Sequence, residues 1–413
     1  MAKARKDRQG RALRPGEYQR ASDNRYVFAY TTPYGKRVKI YGKTLMELRE
    51  KEKRLARDML DGLDTYVAGN ATPNFVFDRY IETKPELRST TKTNYLYNYD
   101  HFVRNTFGKR IIGEIKYSDV LRFYQELLVD KELSINTIDN VHSVVHPALQ
   151  LAVRDGIIRN NPSDGVMAEL KKHFKDKTPA MRKALTVEQQ REFIRFIAEK
   201  PEYFHWYPLF TVLLGTGCRI GEVIGLRWQD IDMDKRMISV NHSVTYYPRS
   251  DDSYRCTYEV SDVKTDAGVR TIPMLDEVYA AFLEERMYQE EHGFNETVID
   301  GMSGFIFQNR EGNVHNPASV NRAIKRIVES HNAEELVKAE KQKRKPVIIP
   351  KFSCHIFRHT FCTRFCENET NIKVIQAVMG HKDIQTTYDI YAEVTDDRKK
   401  ESFEQLAKNL KVF

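Results

Sequence analysis

An arginine lies inside a long apolar stretch of this chain. Residues 213–232 read LLGTGCRIGEVIGLRWQDID, with Arg219 between Gly217 and Gly221 at a predicted junction of a turn and a helix. A buried guanidinium is costly unless it is paired. The fold must therefore give Arg219 a carboxylate or an open cleft. Glu222, one helical turn later, is a suitable carboxylate, and the sequence alone leaves both alternatives open.

The length and composition predict two to four globular domains. A chain of 413 residues is too long for one ordinary domain. No run of about 18 apolar residues is present, so no membrane span is expected. Residues 1–16 lack the apolar segment of a secretory signal. The five cysteines show no framework spacing, which is typical of reduced thiols in a cytoplasmic protein.

The positive charge of the chain is concentrated at its beginning. The net charge is +8, whereas residues 1–60 contain 17 Lys and Arg against 7 Asp and Glu. A basic segment on a nearly neutral body favours a polyanionic partner, above all nucleic acid. The alternative is a tail that only improves solubility.

The first 66 residues predict a small mixed domain. Residues 1–15 are expected to be disordered, and EYQR, RYVFAYTT and KRVKIYG are predicted strands, with PYG at 33–35 turning the last pair. A helix begins after Thr44, which forms a capping box with Glu47. The exposed sheet face is expected to be rich in Arg, Lys and Tyr, a surface that can enter a DNA major groove.

The remainder predicts two larger domains joined by a linker. Residues 72–163 contain four segments with helical spacing, and residues 164–184 are basic and weakly patterned, as expected of a linker. Residues 185–413 are predicted to be mostly helical. Strand patterns interrupt this last domain at 237–273.

Four further residues attract attention by their positions. Lys264 precedes a TDAG turn between two predicted strands, where a lysine is usually only solvated. His355 and Arg358 are three apart on a predicted helix and can share one face, suited to a phosphate, or can form an exposed polar stripe. His381 follows a predicted helix cap at Gly380.

Together, these segments resemble the active site of the tyrosine recombinases, the lambda-integrase-like family. TGCRIGEVIGLRW, HIFRHTFCT and MGHKDIQTTYDIYAEV are similar to the three signature boxes of that family, and KTDAGVRTIP is similar to its lysine-bearing β-turn. The similarity covers the third domain well and the helical domain more weakly. The first domain resembles the arm-binding domain of integrases from conjugative transposons and some phages.

The resemblance implies a multidomain, mainly α-helical fold. It implies an arm-type DNA-binding domain at 1–66, a helical (SAM-like) core-site-binding domain at 72–163, a linker at 164–184 and a catalytic domain at 185–413 with a small antiparallel sheet.

The implied activity is that of a site-specific recombinase that integrates and excises a mobile element. The implied partners are double-stranded DNA at core and arm sites, further copies in a homotetramer, and an excisionase or a DNA-bending host protein. A bacterial cytoplasmic location at the nucleoid is implied, and no cofactor or metal.

The resemblance also assigns roles to six residues. Arg219 and Arg358 clamp the non-bridging oxygens of the scissile phosphate. His355 donates to the phosphate or accepts the proton of the nucleophile, His381 donates a further hydrogen bond to the transition state, and Lys264 is the candidate general acid. Tyr391 is the nucleophile and forms a 3′-phosphotyrosine, and Glu222 is expected to hold Arg219 in place.

Two tyrosines compete for the role of nucleophile. Tyr391 lies ten residues after His381, and Tyr388 lies seven after it. The spacing of ten and the tail YAEV match the family better. Tyr391 is therefore the predicted nucleophile, and Tyr388 is expected to be a packing residue.

Several alternatives remain at this point. Zinc could bind among Cys354, His355, His359, Cys362 and Cys366, although no paired C-x-x-C is present. A non-catalytic DNA-binding regulator or a type IB topoisomerase could share the fold.

Residues 330–350 are either a basic loop facing DNA or a solvated helix. Residues 398–413 show helical spacing and are expected to dock on a neighbouring protomer or on their own domain.

Overall fold

The computed structural model describes residues 5–31, 37–60, 69–174, 183–248, 256–262, 268–369 and 371–392. The chain divides into two units, Met1–Ala180 and Met181–Phe413. It is mainly helical with small antiparallel sheets, which confirms the predicted fold class. Among these residues no helix is both long and apolar enough to cross a membrane.

The first unit begins with a three-stranded antiparallel sheet and a helix. The sheet has the order β1-β2-β3, and its elements are β1 (Glu17–Gln19), β2 (Tyr26–Thr31) and β3 (Arg37–Gly42), followed by α1 (Leu45–Leu60). Tyr26, Leu45 and Leu48 form the core, with Phe28 and Ile40 packed against it. The predicted strands and helix are confirmed, and the expected turn at 33–35 lies outside the described residues.

The opposite face of this sheet is basic and aromatic. Side chains alternate along a strand, so the neighbours of the core-facing residues point away from α1. Arg37, Lys39 and Tyr41 are exposed there, and Lys39 lies 6.0 Å from the ring centroid of Tyr18. This face has the composition that the sequence predicted.

Residues 5–15 are folded, contrary to the expectation of disorder. The Asp7 carboxylate accepts hydrogen bonds from the backbone N–H of Gln9 (2.9 Å) and of Arg11 (2.8 Å), and from the hydroxyl of Tyr26 (3.0 Å). A β-bridge joins Lys6 to Ala12. The expectation was wrong because a polar residue, Asp7, organises this segment, and apolar periodicity does not reveal such contacts.

The rest of the first unit is a helical bundle. Its helices are α2 (Pro73–Glu82), α3 (Ser89–Phe102), α4 (Tyr117–Val129), α5 (Ile135–Arg154) and α6 (Val166–His173). The first four were predicted. The α5 positions chosen from periodicity, Ile138, Val141, Val145 and Ala152, are all buried, and the helix continues through Pro147.

The predicted linker at 164–184 is wrong at its beginning. Val166, Met167 and Leu170 on α6 are buried in the core of the bundle. Three apolar side chains over five residues are enough to dock a short helix, and the basic last turn suits a helix C-terminus. Residues 175–182 lie outside the described residues.

The second unit contains nine helices among the described residues. They are α7 (Val187–Glu199), α8 (Pro201–Phe204), α9 (Tyr207–Thr216), α10 (Ile220–Gly225), α11 (Asp276–His292), α12 (Pro317–Lys341), α13 (His355–Asn368), α14 (Ile372–Met379) and α15 (384–392). Helix α9 is buried along almost its whole length and packs against α11 and α13. Because α9 is apolar and central, the elements that carry the polar residues of the unit can pack around it.

Two small antiparallel sheets interrupt these helices. They are built from β4 (Ile231–Asp232), β5 (Met237–Val240), β6 (His242–Pro248), β7 (Cys256–Asp262) and β8 (Arg270–Pro273), in the orders β4-β5-β8 and β6-β7. The predicted strands at 237–273 are confirmed. In the register of β5 and β8, Val240 pairs with Arg270 and Ile238 with Ile272.

Residues 330–350 are helical as far as Lys341. One face of α12 buries His331, Glu335 and Ala339. The chain beyond the helix is tied to Glu335, which accepts hydrogen bonds from Arg344 Nη2 and from the backbone N–H of Val347, each at 2.8 Å. Of the two alternatives, the structure has a helix, and one side of it is packed.

Candidate active site

Arg219 lies at the beginning of α10, and both of the predicted alternatives, a carboxylate partner and an open side, are present. Its Nη1 donates to Glu222 Oε1 (2.7 Å) and its backbone N–H to Glu222 Oε2 (2.9 Å), while Nη2 donates to the carbonyl of Gly380 (3.2 Å). The Arg219 side chain is still 45% exposed, whereas that of Glu222 is 2% exposed. The guanidinium is thus paired on one side and open on the other.

The turn before Arg219 depends on glycine. Gly217 ends α9 with φ of 62°, and a Cβ at this position would lie 2.4 Å from the ring of Phe361 on α13. This left-handed conformation and the close approach both favour glycine. The turn therefore sets Arg219 close to the helix that carries Arg358.

Arg358 on α13 is buried and held by two carbonyl oxygens. Its Nη1 donates to Gly217 (2.8 Å) and its Nη2 to Met379 (2.6 Å), and the residue is 4% exposed. Burial, and next the positive charge of Arg219, lower the pKa of Arg358 to about 10. The side chain remains charged at neutral pH. His355, one turn earlier on the same helix, is exposed.

His381 follows the C-terminal cap of α14. Gly380 has φ of 62°, and His381 Nδ1 lies 2.8 Å from Thr387 Oγ1 on α15. His381 is 8% exposed. Burial, followed by the positive charges of Arg358 and Arg219, lowers its pKa to about 4. The imidazole is therefore neutral at neutral pH and can offer a hydrogen bond without adding a charge.

The two tyrosines lie on different faces of α15. Tyr391 is half-buried and packs on a small core of Cys362, Cys366, Ile375 and Met379. Tyr388 is 52% exposed, so the expectation that it packs is wrong. The reason is the helical period: Thr387 and Tyr391 are four residues apart and share the inner face.

The sequence did not identify Arg270 as part of this site. Arg270 Nη2 donates to Glu222 Oε2 (2.8 Å), Nε donates to the carbonyl of Val378 (2.7 Å), and the side chain is 5% exposed. A signal was present in VRTIPM, because strand alternation puts Arg270 on the same face as the buried Ile272. A buried guanidinium in a strand has to have a partner.

The three arginines converge on one end of α14. The last carbonyls of a helix have no partner within the helix. Here the carbonyls of Val378, Met379 and Gly380 accept from Arg270, Arg358 and Arg219, respectively. Cations at this negative end of the helix dipole are favourable, so α14 and the adjoining His381 are anchored at the arginine cluster.

Glu222 is the carboxylate that Arg219 and Arg270 share. Burial opposes its ionisation, but the hydrogen bond and charge of Arg270, together with the contacts from Arg219, hold the pKa of Glu222 below its ordinary value. The carboxylate is therefore ionised at neutral pH. The prediction that Glu222 holds Arg219 agrees with this geometry.

Lys264, the expected general acid, lies outside the described residues, as do residues 398–413. The cysteines considered as zinc ligands belong to two different clusters: Cys354 packs in the main core of the second unit, and Cys362 and Cys366 pack near Tyr391. Across the described segments no group of three or more His, Cys, Asp or Glu is placed to hold a metal ion. These buried thiols act as small apolar side chains.

Two models of known protein families match parts of this chain. The model described as the phage integrase family matches residues 183–398, and that described as the DNA-binding domain of Tn916 integrase matches residues 1–59. The transposase of transposon Tn916 from Enterococcus faecalis is 29% identical over 410 residues, covering 96% of this chain and 95% of the relative.

Solved structures show the same similarity in three dimensions. The Tn1549 transposon integrase, in complex with a circular intermediate DNA, is 28% identical with a TM-score of 0.69, over 81% of this chain and 100% of that one. A lambda integrase dimer bound to a core site is 14% identical with a TM-score of 0.51, over 92% of this chain and 95% of that one. The second likeness concerns the fold alone.

Proposed function

The chain belongs to the phage integrase family and is a site-specific tyrosine recombinase, and from this premise we propose that it cuts and rejoins DNA through a 3′-phosphotyrosine at Tyr391. One observation carries the proposal. Arg219, Arg358 and His381 are brought together at the turns formed by Gly217 and Gly380. Two cations and a neutral hydrogen-bond donor at one place suit a phosphoryl group that gains negative charge during reaction.

The proposed reaction is an in-line displacement at phosphorus. The Tyr391 oxygen forms a bond to phosphorus, the bond to the 5′-oxygen breaks, and the phenolic proton passes to a base, for which His355 is the candidate. The leaving 5′-oxygen takes a proton, and Lys264 is the candidate donor. The new ester conserves the energy of the broken phosphodiester, so that the 5′-hydroxyl of a second strand can reverse the step without a nucleoside triphosphate.

The two arginines differ in what they offer the phosphate. Nearly half of the Arg219 side chain is exposed, and its guanidinium can turn N–H groups toward non-bridging oxygens. Arg358 is almost fully buried and uses two donors on carbonyls. We assign Arg219 to direct contact with the phosphate. We assign Arg358 to supplying a fixed positive charge beside the phosphate, together with those of its N–H groups that are not bonded to carbonyls.

The DNA partners follow from the domain organisation that we propose. Residues 1–66 bind arm-type sites through the face that carries Arg37 and Lys39, residues 72–163 bind core sites, and residues 185–413 carry out the chemistry. The similarity to an integrase in complex with DNA supports double-stranded DNA as the partner. Two kinds of binding domain in one chain fit a recombinase that holds two DNA sites in a homotetramer, with an excisionase or a DNA-bending host protein setting the direction.

A nicked suicide substrate tests the proposal. Such DNA, taken from the ends of the element that encodes the chain, loses a short fragment after cleavage and traps the covalent adduct. The wild-type chain should form an adduct that denaturation does not remove. Tyr391→Phe should bind the DNA with unchanged affinity and form no adduct, because the phenolic oxygen is the nucleophile.

Tyr388→Phe is the matched control and should form the adduct at the wild-type rate. Loss of the adduct in Tyr388→Phe together with its retention in Tyr391→Phe would show that the nucleophile has been assigned wrongly. Relaxation of supercoiled DNA without exchange between paired sites would instead favour the topoisomerase alternative.

A further inference from the structure

Arg270 is a buried cation whose hydrogen bonds all point into the protein. Besides Glu222 and the carbonyl of Val378, it contacts the carbonyl of Gly268 through Nη1 (3.1 Å) and the sulfur of Cys218 through Nη2 (3.5 Å). A guanidinium has five N–H donors in a rigid fork, and in Arg270 all three nitrogens that carry them form hydrogen bonds within the protein. Arg270 is thus not presented to the DNA phosphate, and its role in the reaction has to be indirect.

The first link runs through Glu222 to Arg219. Glu222 Oε2 accepts from both Arg270 Nη2 and the backbone N–H of Arg219, and Oε1 accepts from Arg219 Nη1. Without Arg270, this buried carboxylate would keep, among the residues that the structure describes, only the partly exposed Arg219 as a cationic hydrogen-bond partner. A buried charge that loses a partner moves, or takes up a proton. Either change would release the Arg219 guanidinium from its present orientation.

The second link runs to the end of α14. Arg270 Nε donates to the carbonyl of Val378, next to the carbonyls that hold Arg358 and Arg219. The same guanidinium therefore ties β8 to α10 through Glu222 and to α14 through Val378. His381 follows directly on this end of α14, so its position depends on the same attachment.

We propose that Arg270 is a positioning residue for DNA cleavage: it fixes Glu222, and through it Arg219, against the C-terminal end of α14. This inference rests on the proposed function and extends it to a residue that does not touch the substrate. It follows that loss of Arg270 lowers the rate of the chemical step while leaving DNA binding intact. A displacement on the order of 1 Å at a reacting group costs about 100-fold in rate.

The test compares Arg270→Lys and Arg270→Ala with variants of Arg227. Arg227 is another largely buried arginine of this unit: its side chain is 13% exposed and pairs with Asp230 at 3.2 Å, and among the described residues none of its hydrogen bonds reaches Arg219, Glu222 or Arg270. Single-turnover cleavage of the suicide substrate at saturating protein should be about 100-fold slower for both Arg270 variants. The Arg227→Lys and Arg227→Ala variants should cleave within about threefold of the wild type at a temperature where all are folded, and the DNA affinity of all four should be unchanged.

Chemical rescue separates positioning from general destabilisation. Guanidinium ion at low millimolar concentration should restore part of the cleavage rate of Arg270→Ala, because it can enter the space left between Glu222 and Val378. Sodium at the same ionic strength should not restore it. Rescue by guanidinium is not expected from a chain that is merely less stable.

The outcomes are distinguishable. Wild-type rates in the Arg270 variants, or equal losses in the Arg227 and Arg270 variants without rescue, would overturn the positioning role alone. If the wild-type chain forms no adduct, the proposed function fails, and the inference fails with it.

Discussion

His381 Nδ1 lies 2.8 Å from Thr387 Oγ1, and both residues are buried. The contact joins the histidine that follows α14 to the helix that carries Tyr391. It occupies one ring nitrogen and so fixes the orientation of the imidazole, with Nε2 on the opposite side of the ring. The hydroxyl of Thr387 thus connects two of the residues proposed to take part in the reaction.

We expect Thr387→Val to slow cleavage about tenfold, equivalent to about 1.4 kcal/mol. Valine preserves the shape of threonine but removes the only polar group that meets His381 Nδ1 within the described residues. The unfolding free energy should fall by about 1–3 kcal/mol, since a buried polar atom loses its partner. Adduct formation and urea unfolding measure the two effects.

Thr386→Val is the control, because Thr386 is exposed on the same helix. It should leave both the rate and the stability unchanged. Equal effects of the two substitutions would mean that the helix, and not the contact with His381, is sensitive to valine.

The low pKa of His381 predicts that this residue makes stability depend on pH. The folded pKa is about 4, below the ordinary value of 6.5. Between these values the unfolded chain binds the proton and the folded chain does not, so stability is lost as the pH falls from about 6.5 toward 4. In His381→Gln this part of the loss should disappear.

Tryptophan fluorescence can follow this unfolding, because both tryptophans, Trp206 and Trp228, belong to the second unit. The measured quantity is the difference in unfolding free energy between wild type and His381→Gln at each pH. A difference that stays constant from pH 7 to pH 4.5 would contradict a depressed pKa at His381.

Glu222→Gln should reduce the unfolding free energy by about 3 kcal/mol, because it leaves the buried charge of Arg270 without its counterion. Asp276→Asn removes a carboxylate paired with Arg236, but the Asp276 side chain is 88% exposed. An exposed pair contributes less than about 1 kcal/mol. Urea unfolding of the two variants tests whether burial decides the effect; equal losses would argue against it.

The basic sheet face predicts a salt-dependent effect on binding to arm-type sites. Arg37→Ala with Lys39→Ala should weaken this binding and reduce the slope of log K against log salt by about 2, roughly one for each lost phosphate contact. Core-site cleavage should be unchanged. Binding titrations at several KCl concentrations provide the slope.

Lys53→Ala with Arg54→Ala removes the same charge from exposed positions on α1. This pair should leave the slope nearly unchanged. If it weakens arm-site binding as much as the sheet variant does, the net charge of the domain, and not its sheet face, is responsible.

The spacing of apolar residues predicted most helices and strands, because it depends on residues that are only a few positions apart in the chain. The strands of the first domain, the helices at 73–154 and the helix at His355–Asn368 all follow from it. It failed at residues 5–15, where Asp7 organises the chain through polar contacts, and at α6, where three apolar residues were too few to stand out.

The sequence by itself, through the resemblance of its motifs to those of the tyrosine recombinases, determined the reaction class and predicted Tyr391 as the nucleophile, because the order of the motifs and the spacing from His381 are properties of the linear chain. Only the tertiary structure decided how the charges are held. Arg219 meets Gly380 across 161 residues and Arg358 meets Gly217 across 141, and Arg270 joins them through Glu222. Hydrogen bonds over such distances depend on where helices end in space, and no local pattern of residues encodes that.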